Sequence, residues 1–194
     1  MRLFIIFILF TASYSALSFQ VQPMVAEVQP MGSQSQQTIR IANTSVNPLT
    51  IEITAYDLLI TDQGDESLRE NEDDFLIIPM TTIIPAGKSQ SVIVRYIGEP
   101  VLSASKAYRL MIDQVKVNLQ DDNTSGVGMS LSFRTLLNVV PQGAEAKLMI
   151  KSKAQAATGE WKVLLENTGN KYIRLSQAQW VIKGNNEKFV LEGE

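Results

Sequence analysis

The chain has 194 residues, 45% of them hydrophobic, and a formal net charge of −3. It contains neither cysteine nor histidine, which excludes disulfides, thiolate metal sites, cysteine nucleophiles and any Ser-His-Asp arrangement. Lys and Arg number 17 against 20 Asp and Glu, with no basic cluster, and this argues against nucleic acid as a partner because phosphate neutralisation needs clustered cations.

Met1-Arg2, the apolar run Leu3 to Phe10 and the small polar stretch to Ser18 have the layout of a secretory signal peptide. The run is shorter than the roughly 20 apolar residues of a transmembrane helix. Cleavage is expected after Ser18, with Ser15 as the alternative, so that residues 1–18 are removed and the rest is exported.

From residue 19 to 141 short β segments alternate with turn signals, and no amphipathic pattern is long enough for a sizeable helix. The predicted strands are Phe19 to Val28, Gln37 to Asn43, Thr50 to Leu59, Phe75 to Ile78, Gln90 to Tyr96, Lys106 to Leu119 and Val127 to Val140. Asn43-Thr-Ser-Val-Asn-Pro48 and Pro85-Ala-Gly-Lys88 supply turn chemistry. Seven such strands suit an immunoglobulin-like sandwich. Between Thr61 and Asp74 seven acidic residues face a single Arg69. Their spacing lacks the glycine and terminal glutamate positions of a calcium loop, and the segment is expected to be a solvated, mobile loop between strands.

The segment Gly126 to Pro141 is the most informative. Val127, Met129, Leu131 and Phe133 share one face at period two, while Ser130, Ser132 and Arg134 share the other. Two readings are open: an ordinary half-buried strand, or a strand lent to another protein. Past Pro141-Gln-Gly143 the pattern restarts with Ala144 to Ile150, Glu160 to Asn167, Lys171 to Leu175 and Trp180 to Lys183, a second β unit over 144–194 in which Trp161 and Trp180 are expected to be core aromatics. Fifty-odd residues are few for an independent sandwich, and this unit is expected to be short or incomplete. Met24, Met80 and Met111 are expected to fill gaps in the core. The fold class is therefore all-β, with two immunoglobulin-like β-sandwich domains, 19–141 and 144–194.

Several passages carry a family resemblance. They are Phe19 to Pro30 as an opening strand, Gln37-Thr-Ile-Arg-Ile-Ala-Asn43 ending in an Asn turn, Pro79 with Ile84-Pro-Ala-Gly-Lys-Ser-Gln-Ser-Val-Ile-Val-Arg95, Lys106-Ala-Tyr-Arg-Leu-Met-Ile-Asp113, and Leu165-Glu-Asn-Thr-Gly-Asn-Lys-Tyr-Ile-Arg-Leu175. In order and spacing the chain resembles the periplasmic pilus-assembly chaperones of the chaperone-usher pathway, in the branch that serves archaic or alternative fimbriae. The resemblance implies a non-enzymatic periplasmic chaperone without cofactor or metal, whose strand 126–140 completes the sandwich of a pilin-like subunit, and which delivers that subunit to an outer-membrane usher. Val127, Met129, Leu131 and Phe133 are then the subunit-binding face.

Members of that family anchor the subunit's C-terminal carboxylate with an Arg on the first strand and a Lys on the last strand of domain one. Glu27 and Leu136 stand at about those positions here. The nearest cation is Arg134, on the same side of the strand as Leu136, and the anchor candidates are Arg134, then Arg95 and Arg109. The competing expectation is a surface structural or adhesive β-sandwich subunit. Pro23 and Pro30 disfavour it, because a long donated N-terminal strand tolerates proline poorly. An enzyme without His or Cys would need a carboxylate pair or a Ser-Lys couple, and no compact motif of that kind is visible.

Overall fold

The computed structural model describes residues 19–115, 130–157, 159–183 and 188–192. Strands β1 (Phe19–Gln22), β3 (Gln36–Asn43), β8 (Ser89–Tyr96) and β6 (Phe75–Ile78) form one sheet in the order β1-β3-β8-β6. The facing sheet runs β2-β10-β9-β4-β5, from β2 (Val25–Val28), β10 (Ser132–Val139), β9 (Lys106–Gln114), β4 (Leu49–Ile60) and β5 (Glu66–Glu70), with β7 (Thr81–Ile84) also paired to β4. All pairings are antiparallel except β2 with β10, which is parallel. This is an immunoglobulin-like β-sandwich, and the chain is nearly all β, as the alternating pattern predicted.

Alternation explains the core. Ile39 and Ile41, Ile51 and Ile53, Val92 and Val94, Leu110 and Ile112, and Leu137 and Val139 fall every second residue on the inner faces and are fully buried. At one end Phe75, Tyr96 and Tyr108 pack edge to face or tilted, and the Tyr108 hydroxyl donates to Asp74 at 2.7 Å. Burial first, and then that bond, push the Tyr108 hydroxyl far above its ordinary pKa. At the other end buried Asn43 does the work of a turn: its amide donates to the carbonyls of Asn47, Ile84 and Pro85, and its carbonyl oxygen accepts from Ser45. That is the Asn turn read from the sequence.

The structure corrects several expectations. The segment Phe19 to Val28 is two strands, because the chain crosses from one sheet to the other at Pro23-Met24. The acidic stretch after Thr61 contains β5, which pairs with β4 from Tyr56 to Ile60. Its charges do not prevent pairing because all five β5 residues are exposed on a sheet edge, where Arg69 meets Asp57 and Glu66 meets Arg109. Strand β7 was not anticipated at all.

Beyond Val140 the chain forms two hairpins. Strands β11 (Leu148–Ala157) and β12 (Glu160–Asn167) make one, and β13 (Trp180–Lys183) and β14 (Lys188–Leu191) the other. The expected strand Ala144 to Ile150 thus starts four residues later and runs longer, and Lys171 to Leu175 is a loop that leads into a short 3₁₀ turn at Leu175–Gln177. None of the described residues after Val140 is buried. Trp161 is 65% exposed rather than a core aromatic, and Trp180 is half-buried with its indole N–H directed at the Leu175 carbonyl, 3.4 Å away. A two-stranded hairpin leaves each face without a covering layer, so its apolar residues stay accessible. Met24 and Met80 are also exposed rather than core gap-fillers, Met24 at the crossing between β1 and β2 and Met80 at a bend beside β6, and Met111 is half-buried.

Candidate functional site

Strand β10 lies between β9 and β2 only along part of its length. Residues Leu136 to Val139 pair with Val25 to Val28, and the Leu136 amide reaches the Met24 carbonyl at 2.9 Å. Before Leu136 no described strand covers that side. Ladder geometry fixes what the open side presents. Leu136 and Val140 donate toward β2, and Leu131 turns its carbonyl to Gln114 of β9, so by alternation Ser132 and Arg134 point their N–H and C=O groups outward. These are the unpaired backbone groups of an edge strand.

The side chains complete the picture. Leu131 and Phe133 lie on the core side, half-buried, and pack against the rim of the core. Phe133 meets Phe19 edge to face with centroids 4.7 Å apart. Leu137 and Val139, four and six residues beyond Phe133 on the same face, are fully buried. The core row therefore runs outward along β10 and becomes half-exposed where β2 ends. Val127 and Met129 lie outside the described residues. On the opposite side, Ser130 donates its hydroxyl to the Gln114 carbonyl at 2.8 Å, and Ser132 and Arg134 are exposed.

The three candidate cations are not brought together. Arg134 stands on the exposed face of β10, two residues before the point where β2 begins to pair. Arg109 is two strands from β2 and forms an ion pair with Glu66 at 2.8 Å. Arg95 belongs to the other sheet and lines a pocket with Leu76, Tyr96 and Gly98.

A different group occupies the cleft formed by the sandwich, the linker after Val140 and the loop that carries Lys171. This cleft encloses about 580 Å³ and is lined by Glu27, Gln29, Gln34, Gln36, Gln142 and Lys171, among others. Lys171 Nζ lies 3.1 Å from Glu27, and the Tyr172 hydroxyl donates to the same carboxylate. Partial burial raises the Glu27 pKa, but the bonds from Tyr172 and Lys171 outweigh it and hold the carboxyl below its ordinary value. Burial and then the bond to Glu27 push Tyr172 up to about 12. Sequence reasoning placed Glu27 near the cleft but missed Lys171 as its cation. The available signal was Lys-Tyr directly after the Asn-Thr-Gly-Asn turn, which projects both side chains from the turn back toward the linker.

Comparisons agree with this architecture. No family model matches the chain, and no curated protein matches it at a significant level. Among solved structures it is similar to the class 5 fimbriae chaperone CfaA, with 17% identity, 91% of this chain and 81% of that one covered, and a TM-score of 0.65. It is also similar to a chain of the CsuC-CsuE chaperone and tip subunit pre-assembly complex from the archaic Csu pili of Acinetobacter baumannii, at 14% identity, 79% and 78% coverage and a TM-score of 0.58. A third is the Salmonella enterica SafA pilin in complex with the SafB chaperone, at 12% identity, 93% and 82% coverage and a TM-score of 0.56. The fold is that of the fimbrial assembly chaperones. Among the described residues no helix is long and apolar enough to cross a membrane.

Proposed function

We propose that the chain is a periplasmic chaperone that holds pilin-like subunits by donor-strand complementation and passes them to an outer-membrane usher. The observation that carries this reading is the open edge of β10 before Leu136, with Leu131 and Phe133 on its core side. A client sandwich lacking one strand has both an unpaired edge and an uncovered core. Pairing with Ser132 and Arg134 would satisfy the edge, and the alternate side chains would cover the core. Val127 and Met129 share the period of Leu131 and Phe133 and extend the client-facing row.

Because Leu131 and Phe133 are already half-buried, each would add about half of the 1.5–3 kcal/mol of full burial, before association costs. That favours a complex which forms by adding many modest contacts and can be exchanged for another strand. Arg134, exposed beside the edge, is the proposed partner of a client carboxylate, since a guanidinium can bind it through two parallel bonds. The signal-peptide-like pattern of residues 1–18 supports export, and the shared fold of chaperones solved together with subunits supports the client class.

Co-expression with a strand-deficient pilin-like subunit tests the reading. Met129→Glu and Leu131→Glu should abolish recovery of the subunit on the tagged chaperone while the circular dichroism of a β protein persists. Full recovery from both variants refutes the assigned face. Arg134→Ala should lower recovery without abolishing it, and no change would remove Arg134 from the site.

A further inference from the structure

Among the described residues, the polar contacts between the sandwich and the hairpins come from one loop, Asn170–Tyr172. Its two faces do different jobs. One grips the loop that precedes β9: Asn170 accepts from the Ser105 amide at 2.9 Å and donates its side-chain amide to the Ser103 carbonyl at 3.3 Å, while the Tyr172 amide donates to the Ser105 hydroxyl at 2.8 Å. The other grips β2 through Lys171, Tyr172 and Glu27.

The loop is densely hydrogen-bonded and it stands next to the linker. The amides of Asn170 and Lys171 donate to the Glu145 carbonyl, the Glu145 amide donates back to the Asn170 side chain, and Asn167 donates to the Lys171 carbonyl. A Cβ at Gly169 would lie 2.2 Å from the Glu145 carbonyl oxygen and 2.6 Å from the Lys147 nitrogen, so only glycine permits this approach. Glu145 follows the linker turn, in which the Ala144 amide donates to the Pro141 carbonyl. A loop bonded to the chain beside the linker and gripping the sandwich by polar contacts is placed to act as a clamp between the two.

One polar group here is unfinished. Asn138 of β10 is 1% exposed and in register with Glu27, and its side-chain amide is near enough to the Tyr172 hydroxyl to influence it but makes no hydrogen bond of full geometry. A tyrosine hydroxyl that donates to a carboxylate still has lone pairs to accept an amide N–H. A buried amide left without a partner is costly, which favours any small movement that completes the bond.

We propose that Asn170–Tyr172 is a clamp with a tighter setting, in which Asn138 donates to Tyr172 and Tyr172 to Glu27, and that releasing Tyr172 opens the cleft between sandwich and hairpins. The inference concerns the free chain and does not depend on the chaperone reading. It ties the hinge to β2 and β10, the same pair of strands whose register sets the open edge.

The test uses the full mature chain, with small-angle scattering for its dimensions and limited proteolysis for exposure of the linker Pro141 to Ala144. Tyr172→Phe removes the relay, Glu27→Ala removes its acceptor, and Glu27→Gln keeps an acceptor while removing the charge. Linker cleavage should accelerate about fivefold in Tyr172→Phe, the shift expected from one net hydrogen bond, more in Glu27→Ala and less in Glu27→Gln. The radius of gyration should rise in the same order. Because Glu27 belongs to β2 of the sandwich and, among the described residues, meets the chain beyond the linker only through Lys171 and Tyr172, Glu27→Ala decides the matter even if Tyr172→Phe disturbs the folding of the hairpins. Wild-type scattering and cleavage in Glu27→Ala overturn the proposal.

Discussion

Proline at position 132 separates the two roles that β10 has under the proposed function. In the middle of a sheet a proline removes a ladder hydrogen bond, but on an open edge it removes only an outward-facing donor. Ser132 is such a position: its N–H points away from β9 and no described strand lies on that side. Ser132→Pro should therefore keep the β10–β9 ladder intact. A client strand would lose one donor and would have to bury a carbonyl without a partner, at a cost of about 1–3 kcal/mol, or roughly 5- to 150-fold in Kd.

The matched control is Thr135→Pro. Thr135 is buried and in register with Leu110, and its amide faces β9, so proline there breaks the ladder and should unfold the sandwich. Affinity for a strand-deficient subunit, read by calorimetry or by competition with a labelled donor peptide, supplies the measurement. Wild-type affinity in a folded Ser132→Pro variant would mean that the client does not pair with this edge, and the donor-strand reading would fail.

Four further perturbations follow from the structure. Glu27 has its folded pKa below the ordinary 4.5, so its contribution to clamp closure is fully present above 4.5 and is lost as pH falls through the folded value; linker cleavage should accelerate on acidification, and a profile that stays flat until the sandwich itself unfolds would contradict the assignment. Tyr172, held protonated up to about 12, sets the alkaline limit, its contribution being complete below pH 10 and lost on passing 12. A double-mutant cycle on Phe19 and Phe133 should give a coupling of about 0.5–1.5 kcal/mol by denaturant unfolding, and zero coupling would show that Phe133 does not rest on the core rim. Asn43→Ala orphans carbonyls at Asn47, Ile84 and Pro85 and should lower stability by roughly 2–4 kcal/mol in urea titration, with Asn43→Asp restoring less than half because a carboxylate cannot donate to them.

What was legible in the sequence was governed by period two. The inner rows of β3, β4, β8 and β9 read directly from alternating Ile, Val and Leu, and the half-exposed face of β10 was visible as Leu131 and Phe133 beside Ser132 and Arg134. What was missed depends on position in the fold. Strand β5 looks like a charged loop, since an edge strand exposed on both faces needs no apolar residue. Trp161 looks like a core residue, since composition cannot reveal that its hairpin lacks a covering layer. The cation facing Glu27 is 144 residues away in sequence, and no local pattern links the two.

The break at Pro23-Met24 gives β10 its division of labour. Pro23 ends β1 in one sheet, and the chain enters the other as β2 only at Val25, opposite Leu136. From there onward Leu137 and Val139 are sealed into the core, whereas Leu131 and Phe133, on the same face and with the same apolar character, remain half-buried where no described strand pairs with that edge of β10. One uniform alternating strand is thus structural in its second half and available for pairing in its first, and the boundary is set by another segment of the chain. Moving that crossing should move the boundary with it: an earlier start of β2 would pair Arg134 and Ser132 internally and close the edge without changing a single residue of β10.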